Sequence, residues 1–164
     1  MLVRPQLGAF LIMIKKHIFF MQEALKEARK AFDEDEVPVG AVVIYLDKII
    51  ARGRNQIERL KDPTAHAEML ALTSATNYLG TKWLNEANLY VTIEPCSMCA
   101  GALVLARIKN VYFGAKDPKT GACGSVLNII NNKKLNHRVK ATGGILKEEC
   151  SSLLKDFFHK KRKK

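Results

Sequence analysis

Two short stretches constrain this chain more than anything else in it: Pro63-Thr64-Ala65-His66-Ala67-Glu68 and Glu94-Pro95-Cys96-Ser97-Met98-Cys99. One histidine and two cysteines can hold a zinc ion on three sides, leaving a fourth position open to water. That is the pattern of a catalytic zinc site, whereas structural sites are closed by four protein ligands. Cys96 and Cys99 stand at i and i+3, so on a helix both thiols face one way. A helix start beside them favours their thiolate forms. His66 and Glu68 lie at i and i+2, about 200° apart on a regular helix, which is a poor spacing for two ligands of one ion. Near a helix start they can still converge on one cavity, with His66 on the metal and Glu68 on its water. Alone, Cys-x-x-Cys is also a redox motif or half of a zinc knuckle. The chain has no second Cys-x-x-Cys and no His-x-x-x-His to complete a closed site.

The remaining composition bounds the partners. At 164 residues the chain is one domain's worth, long enough to bury a core unaided. Its 27 basic residues against 16 acidic ones leave a formal charge of +11. Such an excess favours polyanions, nucleic acid first and an anionic membrane surface second. The apolar patches between Met1 and Phe20 are interrupted by Lys15, Lys16 and His17. No run reaches the ~18 apolar residues of a membrane span, and no small-residue cleavage site follows. Residues 1–15 therefore read as an irregular, disordered extension, with no membrane partner. Four cysteines, two of them committed to a metal, leave no disulfide framework and point to a reducing cytoplasm.

Taken in order, the pattern predicts an amphipathic helix over 16–32 and, after Pro38, a hairpin of Gly40–Tyr45 with Ile49–Ala51 across Leu46-Asp47-Lys48. A polar loop leads to a helix over 65–76, with Thr64 as its N-cap. A strand over 88–93 then meets a helix opened by Glu94-Pro95, proline in its first turn. A strand at Val111–Phe113, a short helix or turn over 126–130, an edge strand over 138–142 and a helix over 145–158 complete the order. Residues 16–159 form the catalytic domain and 160–164 a basic tail. This alternation predicts an α/β fold, a three-layer α/β/α sandwich on a mixed five-stranded sheet.

His-x-Glu followed by Pro-Cys-x-x-Cys is the known signature of zinc deaminases acting on bases. With it the chain is identified as a member of the cytidine deaminase-like superfamily. Over nearly its whole length it resembles the bacterial tRNA-specific adenosine deaminases. The matching stretches are 36–41 (Glu-Val-Pro-Val-Gly-Ala), 62–68, 94–101, Phe113-Gly-Ala-Lys-Asp117, Asn136-His-Arg-Val139 and Asp156-Phe-Phe158. Guanine, deoxycytidylate and riboflavin-pathway deaminases share the metal signature. The Lys-Asp-Pro-Lys-Thr-Gly loop and the aromatic-then-basic end are similar to the tRNA enzymes.

The resemblance implies a tRNA(adenine34) deaminase, converting wobble adenosine to inosine by hydrolysis at C6 with loss of ammonia. It implies one Zn²⁺ per subunit on His66, Cys96 and Cys99, with Glu68 moving the protons. It implies that Asn55, by itself an ordinary turn asparagine, reaches the target nucleoside. Val37 and Pro38 would line the pocket. Asp117, otherwise a loop cap, would accept a hydrogen bond from a 2′-hydroxyl, which favours RNA over DNA. Phe158 would contact the anticodon stem-loop while Lys160, Lys161 and Arg162 meet phosphates. Of the adjacent Phe157 and Phe158, one is expected in the core and one outside. The family resemblance further implies a homodimer and the arginine tRNA with an ACG anticodon.

Overall fold

The computed structural model describes residue 1 and residues 3–164. Five strands form one sheet in the order β2-β1-β3-β4-β5. β1 (Gly40–Tyr45) pairs antiparallel with β2 (Lys48–Arg54) and β3 (Asn88–Ile93). β3 pairs parallel with β4 (Asn110–Ala115), and β4 with β5 (Lys140–Thr142). The sheet is therefore mixed, with β5 at an edge, as the alternation of elements predicts. The hairpin connection is tighter than expected. Leu46 and Asp47 alone make it, both at positive φ (49° and 61°), as a two-residue turn with the twist of its strands requires.

Side chains leave the sheet alternately to its two faces. Ala41, Val43, Leu89 and Val91 join one core cluster, packed under α3 (Ala67–Leu79) and α4 (Ser97–Leu105). Val42, Ile44 and Tyr90 join the other, under α1 (Arg4–Asp33) and Cys150 of α5 (Lys147–Arg162). Both faces are covered, which is why β1 is a continuous apolar run. The helices lie unusually close. A Cβ on Gly53 would stand 2.2 Å from the Ala67 carbonyl oxygen, so only glycine lets the first turn of α3 rest on β2.

Several boundaries differ from expectation. The stretch expected to be an irregular, disordered extension, 1–15, is helical from Arg4 onward and continuous with the amphipathic helix beyond it. The basic tail, 160–164, is likewise part of α5 as far as Arg162. Their helix breakers are Pro5, in the first turn where its missing N–H costs nothing, and Gly8, whose cost of about 1 kcal/mol the continuous helix absorbs. The polar loop after β2 holds a short helix, α2 (Ile57–Leu60). Residues 126–130 form no helix; Cys123 and Asn128 make an isolated antiparallel bridge there. Thr64 is not an N-cap, because its N–H and hydroxyl are both taken by the Asp62 carboxylate in a turn. His66 caps α3 instead. Pro95 precedes α4, whose N-cap is Cys96.

Candidate active site

Those two N-cap positions build the site. Each belongs to a chain that approaches in extended conformation (His66 φ −73°, ψ 152°; Cys96 φ −73°, ψ 177°) and then turns into a helix. Because His66 stands just outside α3, the helical 200° separation from Glu68 does not apply, and both side chains reach one cavity. Cys99 is the third residue of α4 and faces back to the same point. His66 Nδ1 is 3.6 Å from Cys96 Sγ and 3.6 Å from Cys99 Sγ. Zinc bonds of about 2.3 Å to sulfur and 2.0–2.1 Å to nitrogen, at a tetrahedral angle, separate N from S by about 3.6 Å. The three donor atoms all lie within 4.8 Å of one another. The donor set fits a zinc ion in type and in spacing.

The electrostatics agree. Hydrogen bonds from Cys99 and His66 bring the Cys96 thiol down to about 4, and the Cys96 sulfur in turn pushes Cys99 up. Contact with Cys96 raises His66 against the opposing effect of burial. One ionised sulfur beside an imidazole drawn toward protonation is a charge arrangement that a divalent cation replaces, ionising both thiols. Burial raises Glu68 to about 7, opposed by its backbone and by His66. Its carboxyl is 3% exposed and is set to take up and release a proton near neutrality.

The cavity measures about 190 Å³ and includes Asn55, Val37, Val39, Ile57, Asp117 and Thr120 in its wall. Asn55 is 5% exposed, and its Oδ1 is a buried polar atom with no hydrogen-bond partner among the described residues. Buried amide oxygens are paired in the great majority of cases, so this one is left for a ligand. Val37 and Val39 line the cavity, and Pro38 between them, in a tight turn closed by the Val39 N–H on the Val37 carbonyl at 2.8 Å, is buried outside its wall. Asp117 lies on the wall but also ties its own loop. Oδ1 accepts the N–H groups of Lys119 and Thr120, and Oδ2 the Thr120 hydroxyl. An ionised carboxylate has about four acceptor sites, so Asp117 caps its loop and keeps capacity for one further donor.

A second hollow of about 480 Å³ shares Val37, Asn55 and Ile57 with the cavity and runs to Phe158 and Lys161 on α5. A third shares Phe158 and Lys161 and adds Lys119, Lys155 and Arg162. α5 thus extends the site as a groove. The nearer hollow carries Glu34, Asp35, Glu36 and Glu58 beside Lys161, and the groove turns basic only past Phe158, at Lys119, Lys155 and Arg162. Phe157 packs inward at 4% exposed and Phe158 outward at 46%, the division expected of the pair. Lys161 is partly neutralised by Asp35 at 2.7 Å. Lys160 lies off the groove, over the ring of Phe32.

Two buried glutamates that stand in the quoted stretches but were given no role there hold the walls. Glu36 accepts the N–H groups of Glu58 (3.2 Å) and Arg59 (2.7 Å), fixing the segment after Asn55. Glu94 accepts N–H groups from Asp117, Cys123 and Ser125 and the Ser125 hydroxyl, fixing the Asp117 loop. Both open stretches that resemble the family, Glu36 before Val-Pro-Val and Glu94 before Pro-Cys, and that was their signal in the sequence.

Comparison with known proteins accords with this geometry. The family model of MafB19-like deaminases matches residues 15–162. The tRNA-specific adenosine deaminase of Aquifex aeolicus is 52% identical over 144 residues, 88% of this chain and 95% of that one. That of Bacillus subtilis is 48% identical over 145 residues, 88% of this chain and 90% of that one. The chain belongs to the tRNA-specific adenosine deaminase family.

A solved structure from work on A-to-I editing by tRNA:A34 deaminases at the wobble position superposes on it with a TM-score of 0.80. That pair is 43% identical over 83% of this chain and 99% of the other. The fold is cytidine deaminase-like. A guanine deaminase of Nitrosomonas europaea shares that fold at a TM-score of 0.73 and 24% identity, over 84% of this chain and 82% of its own. Among the described residues no helix is long and apolar enough to cross a membrane.

Proposed function

We propose that the protein is a zinc-dependent hydrolase that converts adenosine to inosine at the wobble position of a tRNA anticodon. One observation carries this reading: His66 and Cys96, with the Cys99 donor clustered beside them, line a cavity together with buried Glu68 and with Asn55, whose Oδ1 is unpartnered among the described residues. Zinc on the three donors would acidify a coordinated water towards a pKa of ~7. Glu68 would move both protons of the attacking water in turn, the first to N1 of the ring and the second, from the hydroxyl formed at C6, to the leaving amine. The balance is one water added at C6 and one ammonia released. Asn55 holds the extruded nucleoside, with Val37 and Val39 packing on it. Asp117 accepts from the 2′-hydroxyl of the neighbouring nucleotide, which makes RNA the substrate in place of DNA.

The groove toward α5 takes the rest of the anticodon stem-loop, with Phe158 for stacking and Lys161 and Arg162 for phosphates. The family likeness supports an arginine tRNA with an ACG anticodon, action as a homodimer and a cytoplasmic setting. Incubating the protein with that tRNA and sequencing for A-to-G changes at the wobble position tests the reading. Glu68→Gln is expected to keep zinc and lose turnover by about 10²-fold or more. Ammonia from free guanine with no inosine in tRNA would overturn it.

A further inference from the structure

The first turns of α1 take no part in the site. The matched deaminase region begins at residue 15, yet the helix begins at Arg4, and residues 3–16 are all exposed. Leu7, Phe10, Leu11 and Ile14 recur at steps of three and four, so they form one apolar stripe, each between 37% and 48% exposed. Arg4 and Lys15 are eleven residues, about three turns, apart and so stand above one another along the helix. Lys16 is already held by Asp47. No acidic residue occurs before Glu23.

Contrary to the expectation of no membrane partner for residues 1–15, we propose that this overhanging helix docks on an anionic lipid bilayer. It would lie in the interface, with Leu7, Phe10, Leu11 and Ile14 among the acyl chains and Arg4 and Lys15 at the headgroup phosphates. An apolar stripe flanked by cations is the composition of helices that lie in the membrane surface. Two other occupants fit less well. A nucleic acid would meet the cations and leave the apolar stripe in water. A second copy would cover the stripe but, with no acid before Glu23, would bring Arg4 and Lys15 of one helix against cations of the other, in parallel or antiparallel alignment. A bilayer of anionic lipid offers both the apolar layer and the opposite charge. The helix from Arg4 to Lys16 is about 20 Å long, so it lies on the bilayer and does not span it.

The test is sedimentation of the full-length protein with vesicles of phosphatidylcholine alone and of phosphatidylcholine with phosphatidylserine. The protein is expected to pellet with the anionic vesicles and to be released by salt. Phe10→Gln with Leu11→Gln should abolish binding while leaving tRNA deamination and thermal unfolding unchanged. Arg4→Gln and Lys15→Gln should each weaken it about fivefold. Three results would overturn the proposal. One is failure of the parent to bind either vesicle. Another is undiminished binding by the Phe10/Leu11 variant, which would assign adsorption to the basic α5 end. The third is a parent oligomer that the Phe10/Leu11 variant dissociates, which would assign the stripe to a second copy.

Discussion

The carboxylate of Glu94 accepts the backbone N–H of Asp117 at 3.0 Å. That bond ties the strand that leads into the cysteine ligands to the loop that walls the cavity. Gly121 completes the joint: a Cβ there would lie 2.5 Å from both the Glu94 carboxylate and the Asp117 carbonyl oxygen. Removing the acceptor leaves three part-buried N–H groups and the Ser125 hydroxyl without it. Glu94→Ala is therefore expected to lower stability by about 3 kcal/mol or more. Glu94→Gln should fold but raise KM for tRNA more than it lowers kcat. Urea unfolding and steady-state kinetics check the pair.

Metal removal is expected to separate chemistry from folding. Both core clusters are apolar and independent of the three donor side chains. Chelation should abolish deamination yet leave far-ultraviolet circular dichroism unchanged. Zinc at a thousandfold excess over its dissociation constant should then restore activity and stabilise the protein by about 4 kcal/mol. An apoprotein that loses its secondary structure would show the site to be structural.

On α5 the prediction is one of direction. Phe158 faces out and Phe157 in, so Phe158→Ala should weaken tRNA binding by about 1–3 kcal/mol, with kcat at saturation unaffected. Arg162→Gln should reduce the slope of log affinity against log salt by about 0.7–0.9. Lys160→Gln should change it less, since that side chain lies off the groove over Phe32. Filter binding across a salt series measures all three.

His17 supplies a pH dependence away from the site. Its Nδ1 and the Tyr90 hydroxyl lie 2.7 Å apart, and its ring packs on Tyr112. Burial first, and Lys16 second, lower its pKa below the ordinary 6.5, so the folded state favours the neutral imidazole, which accepts from Tyr90. Burial also raises the Tyr90 hydroxyl, keeping it a donor. Between the lowered and the ordinary value the unfolded chain binds more protons, so stability rises with pH there. The contribution is full above pH 6.5 and is lost as pH falls through the folded pKa. Melting temperatures from pH 8 to pH 5 should show this decline in the parent and less of it in His17→Gln.

Much of the site was legible in the residues. The donor types and spacings of His66, Cys96 and Cys99 announce themselves locally, whereas Asn55, Val37 and Asp117, which line the same cavity, were pointed to by the family resemblance. Glu36 and Glu94 were not legible, because their partners are backbone N–H groups more than twenty residues away and carry no side-chain signature. Pro38 was placed on the wall with Val37, but the tight turn closed between Val37 and Val39 buries it outside the wall. Lys160 was grouped with Lys161 and Arg162 by composition, and the phase of α5 separates them.

By itself, then, the sequence determined which atoms can hold a metal and which elements must form, since ligand chemistry and hydrophobic period are properties of near neighbours. Only the tertiary structure decided how His66 and Glu68 share a cavity, which buried carboxylates hold its walls, and that α1 runs on past the sheet with its apolar stripe uncovered. Those depend on where distant backbone groups and helix faces come to rest, and no local pattern encodes that.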